Sequence, residues 1–179
     1  MAIARVYDGR DGGPDMTLNR RNFITSASVA VLGGAFATSA CAKPAPAGKF
    51  EVTFTDAEWR KRLSPAAYAT LRQEATDRPG NSPFLNEKRA GIFSCAGCAL
   101  PVYSSTTKFD SGTGWPSFYA ALPNAVRNRT DSTLGFSRVE EHCRRCGGHL
   151  GHVFDDGPKP TGKRHCINGT ALKFAPGRA

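Results

Sequence analysis

Cys95-Ala-Gly-Cys98 and Cys143-Arg-Arg-Cys146 each hold two thiols two residues apart, the spacing at which a tight turn can aim both sulfurs at one ion. Gly97 and Gly147 are expected to permit the turns. Two such knuckles supply a closed tetrahedral zinc site, which is the expectation here; two separate redox disulfides or an iron centre are the other uses of the motif. A further thiol, Cys166, stands apart in "RHCIN". On a strand, Arg164, Cys166 and Asn168 would share one face while His165 and Ile167 take the other. A guanidinium beside a thiol lowers its pKa, and an amide can orient it or bind a ligand. An inert structural cysteine would instead sit among Val, Leu and Ile. That grouping favours a reactive thiol.

Two imidazoles lie close by in "HLGHVF". On a regular strand His149 and His152 would face opposite ways, but Gly151 between them permits a bulge that turns both inward. The plainer alternatives are surface histidines or a second metal site. Trp115, in "SGTGWPSF", reads on its own as a core plug more readily than as a ligand platform.

Positioning these residues requires a scaffold, and the chain signals one clearly. Residues 50 to 76 look helical: Thr55 and Glu58 form a capping box, and Ser64-Pro65 is a second helix start. "DRPGNSP" breaks the chain. Beyond residue 90, "GIFSC", "LPVYS", "NAVRNRT", "TLGFSRVE", "HLGHVF", "RHCIN" and "TALKF" read as strands separated by turn residues. The 19 Gly and 12 Pro in 179 residues suit such a turn-rich fold. The expectation is one mainly β domain over residues 50–179, with short helices first and antiparallel sheets after. The net charge of +9 raises nucleic acid as a partner, yet no Lys/Arg run exceeds three residues and no aromatics interleave with the basic ones. A solvated basic surface, with no nucleic-acid binding, is the expected reading.

The amino-terminal segment reads as an address. Residues 1–15 are expected to be an upstream extension before Met16, and residues 16–42 a twin-arginine-type export signal, with Arg20, Arg21 and Phe23 ahead of an uncharged run. Residues 43–49, "KPAPAGK", are a linker. Ala40-Cys41-Ala42 suits cleavage before Lys43; the alternative is a lipid on Cys41, the one route to a membrane. A periplasmic location follows.

"SGTGWPSF", "CRRCGGHLGHVFDDGP" and "RHCINGTALKF", together with both C-x-x-C pairs, resemble the B-type methionine-R-sulfoxide reductases from about Trp59 to Phe174. The resemblance implies two antiparallel sheets in a tent-like arrangement, one structural zinc ion on Cys95, Cys98, Cys143 and Cys146, and a nucleophile at Cys166. It also implies a site of Trp115, His149, His152, Arg164 and Asn168, in which imidazole protonates the departing oxygen and Trp115 walls the substrate methyl. The implied substrate is methionine-R-sulfoxide, free or in proteins. Many members carry a second cysteine where this chain has Thr113. A one-cysteine cycle is therefore expected, recycled by a small thiol or a thioredoxin-like protein, with Cys41 as the alternative resolving thiol; the chain is also expected to be a monomer. A zinc module that binds nucleic acid and a thiol oxidoreductase that uses its C-x-x-C pairs are the competing classes. The first leaves Cys166, His149 and His152 idle, and bound zinc with one free thiol would separate the reductase from the second.

Overall fold

The structure is a computed structural model and describes residues 49–179; the expected upstream extension, export signal, Cys41 and nearly all of the linker lie outside the described residues. Two short helices open it. α1 (Asp56–Arg62) starts at Thr55, whose hydroxyl accepts from the Glu58 amide while the Glu58 carboxylate accepts from the Thr55 amide at 2.8 Å. α2 (Pro65–Gln73) starts at Ser64 and buries Ala67, Tyr68, Thr70 and Leu71, a stripe at helical spacing. The helical region is thus shorter than the expected 50–76. Leu63, at the end of α1, is extended, and Glu74 leaves α2 in the left-handed region at φ 58°.

Nine strands follow: β1 (Gly91–Cys95), β2 (Pro101–Ser104), β3 (Lys108–Phe109), β4 (Ser117–Phe118), β5 (Val126–Asp131), β6 (Arg138–Cys143), β7 (His149–Phe154), β8 (Arg164–Ile167) and β9 (Leu172–Pro176). They form two sheets, one of three strands in the order β2-β1-β9 and one of six in the order β3-β4-β8-β7-β6-β5. All registered pairs are antiparallel. This is the mainly β, two-sheet fold expected. The sheets meet through aromatics: Phe93 of β1 lies edge-on to Phe118 of β4 at 5.1 Å, and Tyr103 of β2 stacks on Phe118 at 4.4 Å. Each such pair adds about 0.5–1.5 kcal/mol beyond the area it buries. Trp59, Leu71, Leu150 and Ile167 complete the core.

Two further expectations change. The strand expected to begin near residue 133 begins at Arg138, because residues 132 to 137 form a turn in which Gly135 takes φ 80°. "TALKF" opens with a 3-10 turn (Gly169–Ala171), so β9 begins only at Leu172. β3 and β4, two residues each, carry no sequence periodicity long enough to read. No helix among the described residues is long and apolar enough to cross a membrane.

Candidate active site and metal centre

Each cysteine pair straddles the end of a strand. Cys95 closes β1 and Cys143 closes β6, and each knuckle is fastened by a backbone bond of 2.8 Å, Ala99 N–H to Cys95 O and Gly147 N–H to Cys143 O. Gly147 takes the left-handed conformation at φ 68°, as expected. In the first knuckle that role falls on Ala99 (φ 58°) and not on Gly97. The four sulfurs lie within 4.8 Å of one another, with Cys95–Cys146 at 3.7 Å and Cys98–Cys143 at 3.5 Å. A tetrahedron with Zn–S near 2.3 Å puts its sulfurs roughly 3.8 Å apart, so the donor set fits. The thiols alone contend over charge: contact with Cys143 above all pushes Cys95 well up and holds Cys98 down. A divalent cation resolves that conflict by accepting four thiolates. Four sulfur donors, three of them buried, leave no open coordination position. The zinc is structural.

The second group of residues is built by register. Ser117 of β4 pairs with Cys166 of β8, Cys166 with His152 of β7, His152 with Glu140 of β6, and Glu140 with Arg129 of β5. Directly paired residues point to the same face, so one row of side chains crosses five strands of the large sheet. His165 faces the other way, toward the sheet interface, where its Nδ1 meets the fully buried Glu141 at 2.7 Å. His149 joins the row by a bulge: Gly151 pairs with Glu141 but His149 pairs with His142, leaving Leu150 as the extra residue. The His149 and His152 rings then meet edge-on at 5.5 Å. Gly151 is needed, because a Cβ there would lie 2.1 Å from Cys166 O.

Arg164 stands two residues from Cys166 on the same face, with its guanidinium 4.4 Å from the centre of the Phe154 ring. Both arms of its fork reach Asp156 at 2.8 Å. Cys166 is half-buried, and burial pushes its thiol above the ordinary value although Arg164 and the Thr113 hydroxyl pull it down. This corrects the expectation that Arg164 would leave a lowered pKa: desolvation wins. Burial likewise lowers His152, against the pull of Asp131, whose Oδ2 lies 2.9 Å from His152 Nε2.

Trp115 is half-buried and lies outside the core, unlike the plug that its residue type alone suggested. Its indole N–H donates to Asp77 O at 3.0 Å. The same Asp77 donates its amide to Asn168 Oδ1 at 2.9 Å and accepts from Thr170 through its carboxylate. Asn168 Nδ2 donates to Leu150 O at 3.1 Å, so this side chain ties β8 to the β7 bulge and to the segment after α2. Asp77, Asp131, Glu140 and Asp156 were not singled out in the sequence. Of these only Asp156, inside the "FDDGP" stretch beside a named motif, offered any signal.

One free thiol in a row with two imidazoles, on a sheet braced by a separate closed zinc site, defines a zinc-stabilised thiol protein. The SelR domain family matches residues 63–176. The chain is 54% identical over 123 residues to a peptide methionine sulfoxide reductase MsrB of Thiobacillus denitrificans, covering 68% of this chain and 93% of that one. It is 49% identical over 127 residues to the MsrB of Agrobacterium fabrum (70% and 94% covered), and 49% identical over 121 residues to that of Methanosarcina barkeri (67% and 85%). The chain belongs to the SelR-domain family of B-type methionine sulfoxide reductases.

Proposed function

We propose that this chain is a peptide-methionine (R)-S-oxide reductase that repairs oxidised proteins, with Cys166 as its nucleophile. The observation that carries the reading is the register of Cys166 with His152. Among the described residues Cys166 is the only cysteine outside the zinc cluster, and its direct cross-strand neighbour is a proton-carrying group. The Cys166 sulfur attacks the sulfoxide sulfur, and the sulfoxide oxygen takes a proton from His149, His152 or a water they hold. The S–O bond to methionine then breaks, the oxygen adds as water to the Cys166 sulfur, and the S–S bond formed in the attack breaks with methionine leaving on its electron pair. Thiol and sulfoxide become sulfenic acid and methionine, a two-electron exchange that balances. Two equivalents of an external thiol return Cys166 to the thiol, with release of a disulfide and water. Trp115, fastened by Asp77, offers the substrate methyl an apolar wall; Arg164 favours the thiolate as it forms. Zinc takes no part in these steps.

Thr113 cannot resolve a sulfenic acid, which supports a one-cysteine cycle served by a small thiol or a thioredoxin-like protein. The paired Arg20 and Arg21 and the uncharged run after them support export to the periplasm as a folded protein. Cys166→Ser should abolish consumption of the R epimer with zinc content unchanged. Retained turnover in that variant would exclude Cys166 as the nucleophile.

A further inference from the structure

We propose that Glu140 is a positioning residue for His149: it keeps the proton of the neutral ring on Nδ1 and leaves Nε2 as the nitrogen that exchanges a proton with the substrate oxygen or its water. The inference rests on the reductase reading above and adds to it a residue that no motif indicates. His149 Nδ1 lies 2.8 Å from Glu140 Oε1, with the two side chains only 3% and 4% exposed. The other carboxylate oxygen is taken by the Arg129 guanidinium, which also grips Glu74 beyond the end of α2. Burial opposes the charge on Glu140, but the contacts with His149 and Arg129 outweigh it and hold the carboxyl ionised. An ionised carboxylate only accepts hydrogen bonds. The hydrogen in the 2.8 Å contact therefore belongs to His149 Nδ1, and the lone pair of the neutral ring lies on Nε2.

His149 Nε2 is buried and has no hydrogen-bond partner among the described residues. Buried polar atoms in folded proteins are almost always paired, so an orphan on the same face as a reactive thiol marks the place of a ligand or a bound water. The other titratable neighbours do not compete for this role. His142, directly opposite on β6, is itself an imidazole and brings no carboxylate to the ring. The Nε2 of His152 is taken by Asp131, itself fastened to Arg138. Among the described residues, Glu140 is the carboxylate that meets the His149 ring.

The test compares wild type, Glu140→Gln and Glu140→Asp, with zinc content and thermal midpoint as controls for folding. Nitrogen NMR of the histidine rings, without substrate, should show neutral wild-type His149 as the Nδ1–H tautomer. Loss of the anion removes a contact that favours the imidazolium, and in Glu140→Gln the neutral ring should no longer be held as the Nδ1–H tautomer alone. With methionine-R-sulfoxide, that variant should lose about tenfold or more in kcat, with a smaller change in KM, and its alkaline limb should move to lower pH. Glu140→Asp should recover part of the rate. A neutral wild-type His149 protonated on Nε2, or a Glu140→Gln enzyme with an unchanged pH profile and kcat, would overturn the proposal. A wild-type protein that does not consume methionine-R-sulfoxide would strike the reductase reading alone, because the tautomer is read without turnover.

Discussion

At the scale of single residues, Cys166 is governed by two opposed effects. Half-burial raises its thiol, while Arg164 and Thr113 lower it, and burial prevails. Burial therefore disfavours the thiolate of the resting protein. Arg164→Ala removes a cation that favours the thiolate, so the thiol should titrate higher still. The pH midpoint for alkylation of Cys166 should rise in that variant, whereas an unchanged midpoint would show that Asp156 already neutralises Arg164. The reactive types were legible in the sequence because cysteine, histidine and tryptophan are scarce and closely spaced. Their carboxylate partners were not. Asp131 and Glu140 come 21 and 12 residues ahead of His152, and only strand register brings them beside it.

At the scale of elements, the bulge in β7 decides whether two histidines or one reach the active face. The Gly between them was legible as a device, since His-x-Gly-His on a strand cannot otherwise present both rings to one side. The extra residue, Leu150, was not, because its hydrophobic type suits either face of a buried strand. Gly151 lets β7 and β8 approach more closely than a side chain allows. Gly151→Ala would drive a Cβ to 2.1 Å from Cys166 O. It should cost about 1–3 kcal/mol in urea unfolding and lower kcat by displacing Cys166. Wild-type stability and rate in this variant would contradict that account. The loop that carries Trp115 shows the same economy: Gly114, at φ 91°, has no room for a Cβ beside Pro79, and its carbonyl accepts from the Gly80 amide at 2.8 Å.

At the scale of the molecule, the zinc site is a cross-brace. Cys95 and Cys98 belong to the turn that leaves the small sheet at β1, and Cys143 and Cys146 to the turn between β6 and β7 of the large sheet. One ion joins the two sheets next to the β7 bulge. Changing any of the four to Ser should release zinc and lower the thermal midpoint by roughly 10 °C or more. Activity should fall only as the fold loosens. A zinc-free variant with wild-type melting would remove the brace from this account. The fold class was legible from strand spacing and turn residues, and the zinc from paired cysteines. The association of two-residue strands such as β4 was not, since pairing across the sheet supplies what local propensity lacks.

The central claim is that one thiol, Cys166, carries the whole reductive half-reaction. The most direct measurement is a single turnover of the mature protein with methionine-R-sulfoxide and no reductant, followed by a sulfenic-acid trap and peptide mapping. The account predicts one equivalent of methionine and a trapped adduct on Cys166. A Cys41–Cys166 disulfide in place of that adduct would contradict the one-cysteine cycle, and methionine released with Cys166 still alkylatable would contradict the claim itself.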